Sequence, residues 1–184
     1  VSMQVDAYYA FITDKIIAAP TGSSFRWMMT NMGKVENKGI DVSASVSGHA
    51  GPVQLNSRLS YSYTKAQDFT KIGGHKLSSY GDQIPYTPWH SGSVIAGATY
   101  RSWALNYSFI YVGERYDGAV NNIAYNHVQP WYTHDASLQK EFRFGDIRFK
   151  ASVEANNIFN QYYDVVLNYP MPGRNFRFVF TLNI

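Results

Sequence analysis

The residues best equipped for chemistry are few and badly placed for it. His134, Asp135 and Ser137 stand close together and offer the side-chain types of a hydrolytic triad. In an extended segment successive side chains alternate between faces, so Asp135 and Ser137 share one face while His134 points to the other. A base that points away from its nucleophile cannot take its proton, so His134 and Asp135 are expected to be structural and no catalytic residue is assigned. Among the remaining histidines, His75, His90 and His127 lie on or beside long connections, and no pair has the spacing of a preformed metal centre. Hence no metal ligand and no cofactor is expected. With 0 Cys, thiol nucleophiles, disulfide scaffolds and Cys-based zinc sites are excluded.

What the chain does offer is the chemistry of recognition. Phe25, Trp27, Met28, Met29 and Met32 form an apolar cluster that either packs onto its neighbours or, because Met and aromatic side chains line adaptable sites, touches a ligand. Further on, Tyr80, Tyr116, Tyr125, Trp131, Tyr162 and Tyr163 are interspersed with Asn121, Asn122, Asn126 and Asn160. Such a mixture suits a large polar ligand, although the same residues also make turns and rims. The candidate binding residues are Trp27, Tyr80, Tyr116, Asn122, Tyr125, Trp131 and Tyr163.

The elements that must carry these residues are strands. From Gly39, Ile40, Val42, Ala44 and Val46 alternate with Asp41, Ser43, Ser45 and Ser47. After a turn at residues 48–52 the alternation resumes through Val53, Leu55, Leu59, Tyr61 and Tyr63, which makes a hairpin. A second hairpin runs over residues 91–116 about a turn at Arg101 and Ser102, and a third over 132–157 about Gly145 and Asp146. Single strands flank them at 1–13 and 174–184, so about eight strands result. Short turns alternate with long segments at 14–34, 65–88, 117–130 and 160–173. That sorting fits an outer-membrane barrel, with short periplasmic turns at one end and long extracellular loops at the other.

Composition agrees. Charged residues make up 16% of the 184 and aromatics another 16%, with 45% hydrophobic, which excludes disorder and leaves an apolar face for lipid. No apolar run approaches the length of a transmembrane helix. The net charge of +3 has no clustered source, so nucleic acid is not an expected partner. Leu55, Leu59, Tyr107, Phe109, Phe149, Val153, Phe178 and Phe180 are expected to face lipid, and Arg58, Asn106, Lys150, Glu154 and Arg177 to face the lumen. Lys140 falls in the apolar phase near a strand end, where its ammonium can reach the headgroups. Tyr61, Tyr63, Tyr100, Trp103 and Tyr111 lie where interfacial girdles occur. Two other architectures use the same strands: a complete small eight-stranded barrel with a structural or adhesive role, and a soluble carbohydrate-binding β-sandwich whose apolar faces bury each other.

Several short motifs occur in a specific order: Gly39-Ile40-Asp41, Ile84-Pro85-Tyr86-Thr87-Pro88, Tyr111-Val112-Gly113-Glu114-Arg115-Tyr116, His134-Asp135, Asn156-Asn157-Ile158-Phe159-Asn160 before Tyr162-Tyr163, and Tyr169-Pro170-Met171-Pro172-Gly173-Arg174. In that order they resemble the carboxy-terminal part of TonB-dependent outer-membrane receptors, with a Pro-Met-Pro-Gly-Arg segment similar to that of cobalamin and siderophore receptors. The resemblance implies an all-β fold in which residues 1–184 supply about the last eight strands of a 22-stranded antiparallel transmembrane β-barrel, with the plug and earlier strands upstream. It also implies a transporter in the outer membrane of a Gram-negative bacterium and not an enzyme, taking up a ferric siderophore or cobalamin. The implied partners are the TonB complex acting through the plug, the plug and remaining strands themselves, outer-membrane lipid and lipopolysaccharide, and a surface lipoprotein.

Overall fold

Period-two patterning becomes one antiparallel sheet. A computed structural model describes residues 1–21, 23–145 and 147–183. Asp146 of the third turn and the side chain of Phe25 in the first apolar cluster lie outside the described residues. The first hairpin consists of β1 (Ser2–Thr21) and β2 (Ser23–Ala50), and β3 (Val53–Asp68) follows a short turn. A two-residue pair, β4 (Lys71–Ile72) and β5 (His75–Lys76), then precedes the hairpin of β6 (His90–Tyr100) and β7 (Trp103–Val112). Next come β8 (Arg115–Tyr116) and β9 (His127–Val128), the hairpin of β10 (Trp131–Phe144) and β11 (Ile147–Asn156), the small pair β12 (Asp164–Val166) and β13 (Tyr169–Pro170), and finally β14 (Asn175–Asn183).

Eight of these form the main sheet in the order β1, β2, β3, β6, β7, β10, β11, β14. Every neighbour is antiparallel and the three later hairpins turn where the alternation places them. Among the described residues no ladder joins β1 to β14, so the two edges stay open and the eight strands do not close on themselves. A complete small barrel needs that closure, and a sandwich needs a second large sheet. Among the described residues the structure has neither.

Register sorts the side chains as the alternation requires. Leu55, Ala98, Leu105, Leu138, Val153 and Phe178 are paired across six strands and form one apolar row. One step along, Asn56, Gly97, Asn106, Ser137, Glu154 and Arg177 form a polar row on the other face, where Glu154 accepts hydrogen bonds from the Arg177 guanidinium at 2.6 and 2.7 Å. The apolar face has nothing packed over it: Leu105 is 50% exposed, Leu138 46% and Phe178 66%. A sheet that leaves such a face bare is built for a hydrocarbon solvent. Lys140 stands in that face opposite Trp103, its Nζ 4.3 Å from the centre of the indole ring and so shielded at the interfacial level.

The segment 14–34, expected as a long loop, is instead strand. The β1–β2 ladder continues past Thr13 and Lys34 to Ile17 and Thr30 and on to Pro20 and Trp27. Asp14, at φ 54°, interrupts the pairing between Thr13 and Lys15, and the ladder resumes in the same register beyond it. Broken alternation reads as a loop in the sequence, whereas in the fold it is an irregularity within a longer hairpin.

The Gly39 of the Gly-Ile-Asp motif is explained by close approach. A Cβ there would collide with the Tyr63 carbonyl oxygen on β3 and with the Tyr8 hydroxyl on β1. Because the first of these is backbone, it cannot swing aside. Gly39→Ala is expected to cost about 1 to 3 kcal/mol by forcing β2 from β3, read as a lower unfolding midpoint in detergent. An unchanged midpoint would show that the strands part freely here.

Candidate functional site

Few side chains are buried, and they gather at the end of the sheet where the connections are long. Met32, Val35, Ala66 and Ile84 form a small core, with Ile12, Ile17 and Ala119 packed against it. Here the β1–β2 hairpin, residues 65–88 and residues 117–130 meet. Polar side chains then fasten these segments in sequence.

Asp68, fully buried, is the first fastening. One carboxylate oxygen accepts the Thr70 amide at 2.9 Å and the Thr70 hydroxyl at 2.5 Å, and the other accepts the Ser79 hydroxyl at 2.6 Å. Thr70 in turn accepts the Lys34 amide at 3.1 Å, tying this turn to β2. Gln83 is the second. Its Oε1 accepts the Ala66 amide at 2.9 Å, and its Nε2 donates to the Thr64 and Thr87 carbonyls at 2.9 and 3.3 Å. The Gln83 backbone exchanges bonds with the Asn121 amide side chain at 2.8 and 2.9 Å, which joins the segment 65–88 to 117–130.

Arg115 is the third. Only 3% exposed, it donates from Nη2 to the Asp164 and Val165 carbonyls at 2.6 and 2.9 Å and from Nη1 to the Gln129 carbonyl at 3.4 Å. Burial pulls the guanidinium pKa down from its ordinary value, while Tyr86 and Asp164 nearby pull it back up. The guanidinium fork thus spans from β8 to β12. Two residues before Arg115, Gly113 lets the strand approach β6, since a Cβ there would lie 2.7 Å from the His90 carbonyl oxygen.

The other motifs are fastenings too. Asn157 and Asn160 adopt φ of 49° and 54°, a conformation Asn tolerates. The Asn157 amide donates to Asp135 Oδ1 at 2.7 Å, its side chain accepts the Gln161 amide at 2.8 Å, and Asn160 Oδ1 accepts the Arg174 amide at 2.8 Å. Asp135 also accepts the Ser108 hydroxyl at 3.3 Å, so its carboxylate is engaged on the polar face. His134 stands on the opposite face, where Nδ1 meets the Tyr107 hydroxyl at 2.6 Å and the ring packs among Phe109, Tyr132 and Phe159. Among the described residues no group of three His, Asp or Glu side chains is placed to hold a metal ion.

The candidate binding residues do not converge. Trp27 stacks on Tyr86 at 5.8 Å between ring centres, Tyr116 lies 5.7 Å from His127, and Trp131 lies 4.6 Å from Tyr163. Trp131 is paired with Val112, which is paired with Ser91, and so stands on the polar face at the mouth. Burial raises the Tyr163 phenol above its ordinary pKa, which keeps it a neutral hydroxyl. Asn122 is spent on a turn: its side-chain Oδ1 accepts the Ala124 amide at 2.9 Å and its backbone amide donates to Asn126 Oδ1 at 2.9 Å. Tyr125, 86% exposed, stands free on the segment 117–130. Tyr80 departs from the expectation of a shared mouth surface. It packs edge-on against Phe69 at 5.2 Å in a groove lined by Phe11, Thr13, Lys34 and Glu36, all in the phase of the lipid face. The sequence does not mark Asp68 and Gln83, because isolated polar residues in a polar connection carry no periodic signal of burial, and it marks Asn121 only as one of several amides suited to a ligand or a turn.

An open antiparallel sheet with a bare apolar face, a polar opposite face and fastened connections at one end is a section of the wall of an outer-membrane β-barrel. The family model for the TonB dependent receptor-like β-barrel matches residues 1–158. The chain belongs to that family. No curated protein matches it. Among solved structures it is similar to the FrpB iron transporter from Neisseria meningitidis (F3-3 variant), with 17% identity, TM-score 0.63, and coverage of 97% of this chain and 28% of that one. The unliganded ferric citrate transporter FecA gives 16% identity and TM-score 0.69 over 97% of this chain and 28% of its own. The siderophore receptor PiuA from Acinetobacter baumannii gives 13% identity and TM-score 0.68 over 98% and 26%. At these identities the likeness is one of fold, and the chain spans about a quarter of the length of each structure.

Proposed function

We propose that residues 1–184 are the carboxy-terminal wall of a plugged, TonB-dependent outer-membrane receptor that takes up a large, scarce nutrient, a ferric siderophore being the favoured class. The observation that carries this reading is the open eight-stranded sheet with a bare lipid face and connections fastened into a rim at one end. Its free edges call for further strands, because a bare strand edge is otherwise a site of aggregation. A plug inside the polar face and a TonB complex acting on that plug complete the reading. Solved structures it resembles carry names of iron, ferric citrate, siderophore and copper transport, which supports a metal complex over cobalamin.

Nutrient capture falls to the rim, since loops held by a rigid scaffold commonly carry recognition. Tyr125 is an exposed aromatic side chain of the rim and Trp131 faces the mouth. In the whole receptor, Tyr125→Ala and Trp131→Ala together are expected to weaken nutrient affinity by about 1 to 3 kcal/mol, while Tyr80→Ala, on the outer wall, leaves it unchanged. Isothermal titration with the cognate nutrient checks this. Equal affinity in all three proteins would remove the rim as the capture surface.

A further inference from the structure

At the short-turn end of the sheet the hairpin of β10 and β11 runs past its neighbour. The β7–β10 ladder stops at Trp103 and Lys140, and one further bond, from the Glu141 amide to the Ser102 carbonyl at 2.9 Å, closes it. Pairing with β11 continues to Phe144 and Ile147. Successive residues of a strand aim their main-chain groups to alternate sides, so Arg143, like Glu141, turns its N–H and C=O away from β11. Among the described residues nothing pairs with that edge beyond Glu141.

The same stretch sets like charges face to face. Arg143 stands directly across from Arg148, both exposed, at a position where the two strands exchange no hydrogen bonds and facing side chains stand closest. Like charges so placed repel. Elsewhere the polar face balances itself: Glu141 faces Lys150, and Glu154 binds Arg177. Among the described residues Arg143 and Arg148 have no carboxylate within ion-pair distance, and Arg143 makes one side-chain bond, from Nε to the Gly145 carbonyl at 3.2 Å. On the other face of the same strand Phe142 and Phe144 are 38% and 71% exposed.

We propose that this edge takes up an extended peptide in which acidic and apolar residues alternate, a segment of a soluble periplasmic protein. The inference rests on the barrel reading, which puts the short turns in the periplasm. A strand added beside residues 141–144 completes the idle main-chain bonds. With a period of two, its side chains on one face meet Arg143 and Arg148, and those on the other meet Phe142 and Phe144. A carboxylate on the first face relieves the repulsion between the arginines, and an apolar residue on the second covers the phenylalanines. A phospholipid headgroup fits less well, because the arginines lie in the polar phase, away from lipid, and a headgroup supplies no main-chain partner.

The test uses the whole receptor in phosphatidylcholine nanodiscs and a fluorescent, end-blocked Val-Glu-Val-Glu-Val peptide, read by anisotropy. The unaltered receptor is expected to bind it saturably, and affinity is expected to fall about tenfold in R143Q/R148Q. The charge-keeping variant R143K/R148K should hold most of the affinity, as should R58Q, altered in the polar phase away from the turn. A Val-Lys-Val-Lys-Val peptide should not bind. The acidic peptide N-methylated on alternate residues, which cannot add to an edge, should bind as weakly as its parent does to the glutamine variant. Absence of binding to the unaltered receptor, undiminished affinity in the glutamine variant, or equal binding of the lysine or N-methylated peptide would each overturn the proposal. Loss of binding when phosphatidylglycerol is added to the discs would also overturn it, by showing that lipid fills the site. Heat-dependent migration on gels reports barrel formation separately, so a receptor that forms no barrel overturns the membrane reading, whereas a barrel that binds no peptide overturns this proposal alone.

Discussion

Replacing Arg115 with alanine is expected to release the segment 157–174 from the rim. The guanidinium makes two short bonds to the Asp164 and Val165 carbonyls and a longer one to Gln129, all from a buried position. Hydrogen bonds to a charged donor contribute roughly 1.5 to 3 kcal/mol each, and the carbonyls left behind have no replacement donor, so a loss of about 3 kcal/mol or more is expected. Calorimetry in detergent would show it as a lower unfolding midpoint, and limited proteolysis as new cleavage between residues 157 and 174. Arg115→Lys should recover only part of the loss, because an ammonium lacks the fork that spans two carbonyls. An alanine variant as protease-resistant as the unaltered chain would mean that β12 and β13 are held by other contacts.

The second large effect separates the two faces of one strand. Leu138→Arg would put a guanidinium into the lipid-facing row between the lower girdle at Trp103 and the upper one at Tyr132. A basic side chain at that depth costs roughly 2 to 4 kcal/mol. Ser137→Arg, one residue away, points to the polar face beside Asn106 and Glu154 and should cost little. Urea titration of refolding into vesicles gives both numbers, and a penalty of equal size at the two positions would mean that the apolar row does not meet lipid.

Much of this wall was legible in the residues. Alternation placed the three later hairpins and assigned Leu55, Phe109, Val153 and Phe178 to one face and Arg58, Asn106, Glu154 and Arg177 to the other, as the register has them. It worked because a strand that meets lipid on one side and polar surroundings on the other must alternate. Alternation ends near Asp14, where the ladder is interrupted, so it marks only the first part of the 20-residue β1. It was also silent about the rim. The family motifs at Arg115, Asp135, Asn157 and Asn160 marked the right places, but a motif does not say that Asn157 binds Asp135 or that Arg115 reaches Asp164. Those contacts join residues far apart in the chain, and no local pattern records them. Tyr80 is equally hard to place, since a tyrosine in a long connection carries no sign of which face the connection folds across.

The three fastenings have a mechanical consequence. Asp68 with Thr70 holds the second connection to β2, Gln83 with Asn121 holds it to the third, and Arg115 holds the third to the fourth. Joined in this way, the connections act as links of a hoop loaded in series. A push on any one is carried as tension to its neighbours, and the resistance of the whole to being spread is set by the weakest joint.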